Sequence, residues 1–385
     1  MPHAVWNTAW MCHRSRPPPE QRRLTRALCA RYLARMRRDY SLAEGTPKLS
    51  NPSWYRPKVD PAQIRALMQK SDAIAGRDAL LWLGVMVVSA GIAIALWPSW
   101  WSAPFWFVYG VMYGSGSDAR WHECGHRTAF KTEWMNRVIF HIASFMLFRN
   151  PYVWQASHVR HLTDTIIVGR DPEILAMRPP DLAKLALNVF GLIDGYHMIR
   201  RMFLHAVGRL DPEEAEFVRP EDRDRVTIAA RIALLIHVAT IALALATGSI
   251  LPLMVIGLPA FYGAWHRVMT GVLQHLGLAE NVTDHRLNTR TVLMNPVSRF
   301  IYLNMNYHLA HHMFTMVPYY HLPALHKLIA HDVPAPEPSI GAALRRMLPV
   351  LVKQLRYQDA VILYDLPDGA TPYRPEVQVL RPHAA

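Results

Sequence analysis

Two long stretches of the chain contain no Asp, Glu, Lys or Arg: residues 79–117 (39 residues) and residues 232–266 (35 residues). A bilayer core of about 30 Å is crossed by roughly 20 helical residues, so each stretch is too long for one span. Each also contains helix-breaking residues near its middle, at Pro98–Pro104 and at Thr247–Pro252. The pattern therefore predicts two hairpins of transmembrane helices, at about residues 79–117 and 226–270.

The charges around these hairpins predict their orientation. The short turns carry no charge, whereas arginines flank the outer ends, at Arg77, Arg120, Arg225, Arg231 and Arg267. By the positive-inside rule, both hairpins open toward the cytoplasm. The tryptophans near the first turn suit the aromatic belt at the opposite interface: Trp97, Trp100, Trp101 and Trp106. We expect an all-α integral membrane protein with four transmembrane helices in two hairpins and a helical cytosolic cap.

Composition adds a basic N-terminal region to this plan. Of 42 basic and 29 acidic side chains in the chain, residues 1–70 hold 14 and 4. Because membrane segments follow, an anionic lipid surface is the favoured partner and nucleic acid is not expected, although a solvated arm without a partner fits equally. The predicted regions are a basic cytosolic region (1–75), a membrane domain (76–335), and a C-terminal cytosolic helix with an irregular tail (336–385).

Histidines form three short clusters with helical spacing. The clusters are HECGH with His122 and His126, HVRHL with His158 and His161, and HLAHH with His308, His311 and His312, while His275 stands alone. Imidazole is a good ligand for iron, zinc or copper. Residues three or four apart lie on one face of a helix, so each cluster is expected to aim its nitrogens at one point. The predicted topology places all eight at the cytoplasmic face.

The first cluster alone permits another interpretation. HECGH fits the H-E-x-x-H motif, in which His122 and His126 bind zinc and Glu123 is the general base of a metalloprotease. Such a protease needs only one further ligand, and eight histidines exceed the capacity of one tetrahedral zinc. The set therefore favours two metals. An intramembrane zinc protease and a non-enzymatic metal-binding protein stay open as alternatives.

Taken together, the clusters resemble the three histidine boxes of the membrane fatty acid desaturase superfamily, which includes related hydroxylases. HECGH followed by Thr128-Ala129-Phe130 resembles the first box of plant-type oleate desaturases. The segments SHVRHLTDT, DHRLNTRTV and NMNYHLAHHMF resemble bacterial members of the superfamily. The resemblance covers roughly residues 75–335, with boxes at residues 122–126, 158–161 and 308–312.

The resemblance implies a di-iron site that uses O2 as co-substrate to desaturate a fatty acyl chain, bound to lipid or carrier. Hydroxylation of a lipid or hydrocarbon is the alternative within the superfamily. Electrons would come from a ferredoxin or cytochrome b5 type donor through a reductase. The implied setting is a multi-pass protein of a bacterial inner membrane, with the site on its cytoplasmic face. The implied iron ligands, with no further catalytic residue, are His122, His126, His158, His161, His275, His308, His311 and His312.

The chain departs from the superfamily at one position. The second box is HxxHH in the superfamily, and here its last residue is Leu162. Leucine cannot bind iron, so a water or Asp164 takes that place, the chemistry shifts toward hydroxylation, or activity is lost. We favour a working or recently altered enzyme over an inactive one, because the other eight positions are intact. For any single carboxylate near the boxes, an ordinary surface or salt-bridged role is favoured, but some are candidates for holding the imidazoles. These are Asp118, Glu123, Asp164, Asp171, Glu280 and Asp284.

Overall fold

The computed structural model describes residues 54–374, and within this range the chain is helical without a β-strand. A single parallel bridge joins Val292 to Glu337. Most of the basic N-terminal region predicted from the sequence lies outside the described residues. The α-helices of the N-terminal half are α1 (Pro61–Leu67), α2 (Asp72–Ala95), α3 (Ala103–Val111), α4 (Ser117–Gly125), α5 (Glu133–Met146), α6 (Pro151–Thr163), α7 (Leu182–Leu187) and α8 (Leu192–Ala206).

Shorter helices dominate the C-terminal half. They are α9 (Pro212–Phe217), α10 (Arg223–Thr247), α11 (Leu251–Val255), α12 (Pro259–Tyr262), α13 (Trp265–His275), α14 (His285–Asn288), α15 (Pro296–Ile301), α16 (His308–Met313), α17 (Leu322–Ile329) and α18 (Ile340–Gln354). The 3-10 turns lie at Trp100–Ser102, Asn188–Phe190, Pro220–Asp222, Met305–Tyr307 and Tyr319–His321, and a π-helical turn lies at Met112–Gly116.

The first charge-free stretch forms a helical hairpin, as its breakers predict. Ser71 caps α2 by accepting a hydrogen bond from the backbone N–H of Ile74. The chain turns after Ala95, and α3, the π turn and α4 return as one continuous helical segment. Trp100 and Trp101 at the turn are 91% and 77% exposed, which suits an interfacial belt. The prediction for Trp106 was wrong, because packing within the main hydrophobic cluster leaves this side chain only 4% exposed.

Two helices are long and apolar enough to be candidate membrane spans, Asp72–Ala95 and Pro220–Thr247. Only 22% and 17% of their most apolar windows are buried by the rest of the chain, unlike the core helix of a soluble protein. The second candidate ends at Gly248, whose left-handed φ of 59° lets the chain leave the helix. The return limb is broken into α11, α12 and α13. The four-span topology therefore stays a prediction.

The return limb, which contains α12 and α13, approaches the first hairpin closely at glycines. Ser115 Oγ donates a hydrogen bond of 2.5 Å to the carbonyl of Gly263. A Cβ placed on Gly263 would overlap the carbonyl oxygen of Gly110, so only glycine allows this approach. The contact fixes α13 against the segment that leads into α4, and both of these helices carry histidines.

Buried Arg286 ties the C-terminal segment to α14, the short helix on which it lies. Its guanidinium forms a bidentate ion pair with Asp284 and donates to the carbonyls of Thr371 and Pro372 at 2.8 and 3.1 Å. After α18, residues 355–374 contain no helix, and their end is held by this arginine. Part of the irregular tail predicted from the sequence lies outside the described residues. The anchor also fixes α14, which reaches the histidine site through Asn288.

Candidate metal centre

Four helices bring the eight histidines together. The helix α6 begins after Asn150, whose side chain accepts a hydrogen bond from the backbone N–H of Tyr152, and Pro151 occupies its first turn. This start sets the rotation of the whole helix. The histidines lie on α4 (His122, with His126 directly after it), α6 (His158 and His161), α13 (His275) and α16 (His308, His311 and His312).

The eight histidines fall into two groups of four, and each group could hold one metal ion. In each group the candidate ligand nitrogens all lie within 4.8 Å of one another. The groups are adjacent, since the rings of His158 and His161 are 5.5 Å apart across them. The first group is His122, His126, His158 and His311, and the second is His161, His275, His308 and His312.

The expectation that each box converges on one point holds for the first box and is wrong for the other two. His122 and His126, four residues apart, share a group, and so do His308 and His312. Pairs three residues apart separate: His308 and His311 belong to different groups, as do the two histidines of α6. An α-helix advances about 100° per residue, so the i+3 and i+4 side chains diverge to opposite sides of residue i. One helix therefore supplies both groups.

Outer hydrogen bonds orient several of the rings. Nδ1 of His158 lies 2.9 Å from Glu173 Oε2, and Nδ1 of His161 lies 2.8 Å from Asp171 Oδ2. Nδ1 of His275 lies 2.8 Å from the carbonyl oxygen of Asn288. These acceptors place the proton on Nδ1, so the Nε2 lone pair of each ring faces its group.

The sequence identified only part of this supporting shell. Asp171 binds a histidine as expected, and Glu123 Oε1 lies 3.5 Å from His122 Nδ1. Glu173 and the Asn288 carbonyl were missed, since no motif marks residues brought in by the loop after α6 or by a backbone oxygen. The other four candidate carboxylates form ion pairs with arginines instead: Asp118 with Arg149, Asp164 with Arg160 and Arg170, Glu280 with Arg178, and Asp284 with Arg286.

The spacing of the Nε2 atoms fits a bound metal. Nε2 of His308 lies 3.2 Å from that of His275 and 3.0 Å from that of His312. At a metal–nitrogen distance of about 2.0–2.1 Å, neighbouring ligands stand about 2.9–3.4 Å apart. Within residues 54–374, both ring nitrogens of buried His122 and His311 have no hydrogen-bond partner. A cation between the rings would satisfy one nitrogen of each ring and relieve the repulsion between facing lone pairs.

Burial keeps most of these rings neutral. Desolvation, together with repulsion from neighbouring imidazoles, lowers the pKa of His275 to about 3. His161 is the exception: burial lowers its pKa, but the charge and hydrogen bond of Asp171 outweigh burial and raise it. Neutral imidazole is the form that binds metals, so the burial prepares the site for them. The same causes hold the pKa well below its ordinary value in His126, His158, His308, His311 and His312.

Leu162 leaves neither group with fewer than four histidines. Both groups are composed without residue 162. The expected substitute Asp164 does not contribute either, because its carboxylate lies 2.8 and 3.2 Å from Arg160 and Arg170. Residue 162 therefore belongs to neither of these four-histidine groups.

A cavity of about 700 Å³ opens beside both groups. Its far wall comes from the loop before α7 and from α7 and α8, including Leu175, Leu185, Ile193 and Met198. This volume suits a substrate-sized ligand. The histidines that line it belong to both groups, and they are His122, His158, His161, His275 and His308.

We expect Asp171→Asn to weaken metal binding about 10- to 100-fold, the usual effect of losing a partner that orients a ligand. The amide still fits the space. However, His161 loses the negative charge of the carboxylate beside it, and the amide N–H group points toward a neighbouring hydrogen-bond donor. Chelator competition on the purified, metal-loaded protein measures the effect. Glu216→Gln alters an exposed carboxylate and is the matched control. Equal metal release from both variants would contradict the role given to Asp171.

Comparison with known proteins places this site in a family. The model of the fatty acid desaturase family matches residues 97–342. The chain is 24% identical over 260 residues to a probable fatty acid desaturase DES1 of Sorghum bicolor, which covers 61% of this chain and 65% of the relative. It is also 24% identical over 280 residues to an acyl-lipid omega-3 desaturase (cytochrome b5), endoplasmic reticulum, of Arabidopsis thaliana, covering 64% and 69%. The chain thus spans about two thirds of these relatives.

Proposed function

The chain belongs to the fatty acid desaturase family, and on that premise we propose that it is an O2-dependent di-iron desaturase of a fatty acyl chain in the membrane. The observation that carries the proposal is the pair of adjacent four-histidine groups that opens onto one cavity. The family supports an oxidoreductase that acts in lipid metabolism. The two metals, the substrate and the use of O2 belong to the proposal.

The eight histidines would hold the two irons in the groups described above. Bound iron would supply the activation of O2 needed to remove hydrogen from an unactivated C–H bond. Asp171, Glu173 and the Asn288 carbonyl hold the rings with Nε2 inward, so the ligands need little rearrangement. The cavity walls position the acyl chain beside the histidines and exclude bulk water.

The membrane setting is proposed from the same features. Two candidate spans begin near clustered arginines, and the histidine groups lie toward those basic ends. We propose a multi-pass protein, in a bacterial inner membrane, with its site on the cytoplasmic face. Electrons would arrive from a ferredoxin or cytochrome b5 type protein through a reductase. The name of the Arabidopsis relative includes cytochrome b5.

The position of Glu123 argues against the zinc protease. Its carboxylate is fully buried and accepts hydrogen bonds from Thr128 Oγ1 at 3.2 Å and from the backbone N–H of Tyr319 at 3.1 Å. A general base must instead reach the water that attacks the substrate. Glu123 does not line the cavity, whereas His122 does. Glu123 therefore serves as a support for α4 and its histidines.

Lipid profiling tests the proposal and its nearest alternative together. The protein is expressed in a host with a ferredoxin, a cytochrome b5 and their reductases, and total fatty acids are analysed by mass spectrometry. We expect acyl chains two mass units lighter, with a new double bond. Chains sixteen units heavier, with a new hydroxyl, would instead assign the hydroxylase reaction. Lipids unchanged with either donor, despite a metal-loaded protein, would refute the proposed activity.

A further inference from the structure

One arginine in the cavity differs from the other arginines of the cavity wall. Arg267 lies in the first turn of α13, and its side chain is 14% exposed. Its Nε donates a 3.2 Å hydrogen bond to the carbonyl of Gly114, which fixes the position of the guanidinium. Within residues 54–374, neither terminal nitrogen of Arg267 forms a hydrogen bond. Arg267 is also one of the residues that line the cavity.

The other arginines of the cavity wall are closely paired with carboxylates. Arg149 lies 2.5 Å from Asp118, Arg178 lies 2.9 Å from Glu280, and Arg201 lies 3.0 Å from Asp211. The nearest carboxylate to Arg267 is Asp194, whose Oδ2 is 3.7 Å from Nη1. That distance is beyond a hydrogen bond, and the Asp194 side chain is 39% exposed, so solvent weakens the attraction. Arg267 thus keeps two donor nitrogens for another acceptor.

Neighbouring backbone leaves room for that acceptor. Gly191 begins α8 with a left-handed φ of 64°, and a Cβ at this position would lie 2.9 Å from Nη2 of Arg267. A side chain here would therefore press on the guanidinium. On the same helix α13, His275 follows eight residues later, a rise of about 12 Å. The guanidinium and the second histidine group thus stand at separate points along one cavity.

We propose that Arg267 binds the anionic group of the substrate, a carboxylate or a phosphate, while the chain extends toward the histidine groups. The guanidinium presents parallel N–H donors that match the oxygens of both anions. Low exposure strengthens the pairing relative to one in bulk water. The acyl nature of the chain rests on the proposed function, whereas the anionic group rests on Arg267 alone.

Equilibrium binding to the purified full-length protein in detergent tests this inference. The probes are radiolabelled palmitate, 1-palmitoyl lysophosphatidate and neutral methyl palmitate. We expect at least one anion to bind about tenfold or more tightly than the ester, and the preferred anion identifies a free acid or a phospholipid as the source. Arg267→Met should abolish that preference and leave ester binding unchanged, and Arg267→Lys should weaken it less. Arg200→Met removes an arginine paired with Asp211 outside the cavity lining and should change nothing.

Several outcomes would overturn the inference. These are failure of both anions to bind, equal binding of the ester and both anions by the unaltered protein, or equal loss of anion and ester in Arg267→Met. If the methionine variant does not fold, an unchanged anion preference in Arg267→Lys would also overturn the inference. Binding is measured without turnover, so an Arg267-dependent preference without new double bonds would refute the desaturase alone. New double bonds without any anion preference would refute only the role of Arg267.

Discussion

Replacing His308 with alanine is expected to lower the metal content of the purified protein from about two ions per chain to about one, with loss of detectable turnover. His308 is central to the second group, since its Nε2 lies 3.2 Å from that of His275 and 3.0 Å from that of His312. Three imidazoles would remain, but one of the ligands that line the cavity is gone. Elemental analysis by mass spectrometry measures the metals, and lipid profiling measures the turnover.

His331→Ala is the matched control for this variant. His331 is exposed, and its Nδ1 lies 3.1 Å from the carbonyl of Leu328, away from both groups. Metal content and turnover should equal those of the unaltered protein. If His308→Ala kept both metals with full turnover, the second group would not be a metal site. Loss of both ions would instead indicate that the two groups load cooperatively.

Gly263→Ala is expected to prevent stable folding, with a loss of more than about 3 kcal/mol in the free energy of unfolding. The added Cβ would overlap the carbonyl oxygen of Gly110, which belongs to the backbone of α3 and cannot rotate away. The hairpins would have to separate, and the Ser115 hydrogen bond to the Gly263 carbonyl would break. The effect is measured by heating the purified protein in detergent and recording the temperature at which the monodisperse protein is lost.

Gly84→Ala makes the same chemical change where nothing lies within 4 Å of the new Cβ. Gly84 lies inside α2, where alanine is a better helix former by up to about 1 kcal/mol, so the melting temperature should stay level or rise. If the Gly263→Ala and Gly84→Ala proteins had the same melting temperature, the close contact between Gly263 and Gly110 would not be needed for stable folding.

The sequence predicted helices and their breaks better than it predicted packing. The absence of charge between Ala79 and Ser117, with Pro98 near the middle, indicated a hairpin that the structure contains. The burial of Trp106 could not be read from its position near the turn, because burial depends on the partner helix. Likewise, the breaks that divide the return limb into α11, α12 and α13 reflect contacts with the first hairpin as well as Pro259 and Gly263.

By itself, the sequence determined the helical class, the family resemblance and the eight histidines, since hydrophobic pattern and ligand spacing are local properties of the chain. Only the tertiary structure decided how those histidines divide into two groups, because that depends on the rotation of four helices about their axes. It alone showed that both four-histidine groups form without residue 162, that Glu173 contacts His158, and that Arg267 has donors without close partners. Each of these depends on contacts between segments far apart in the chain, which local spacing does not encode.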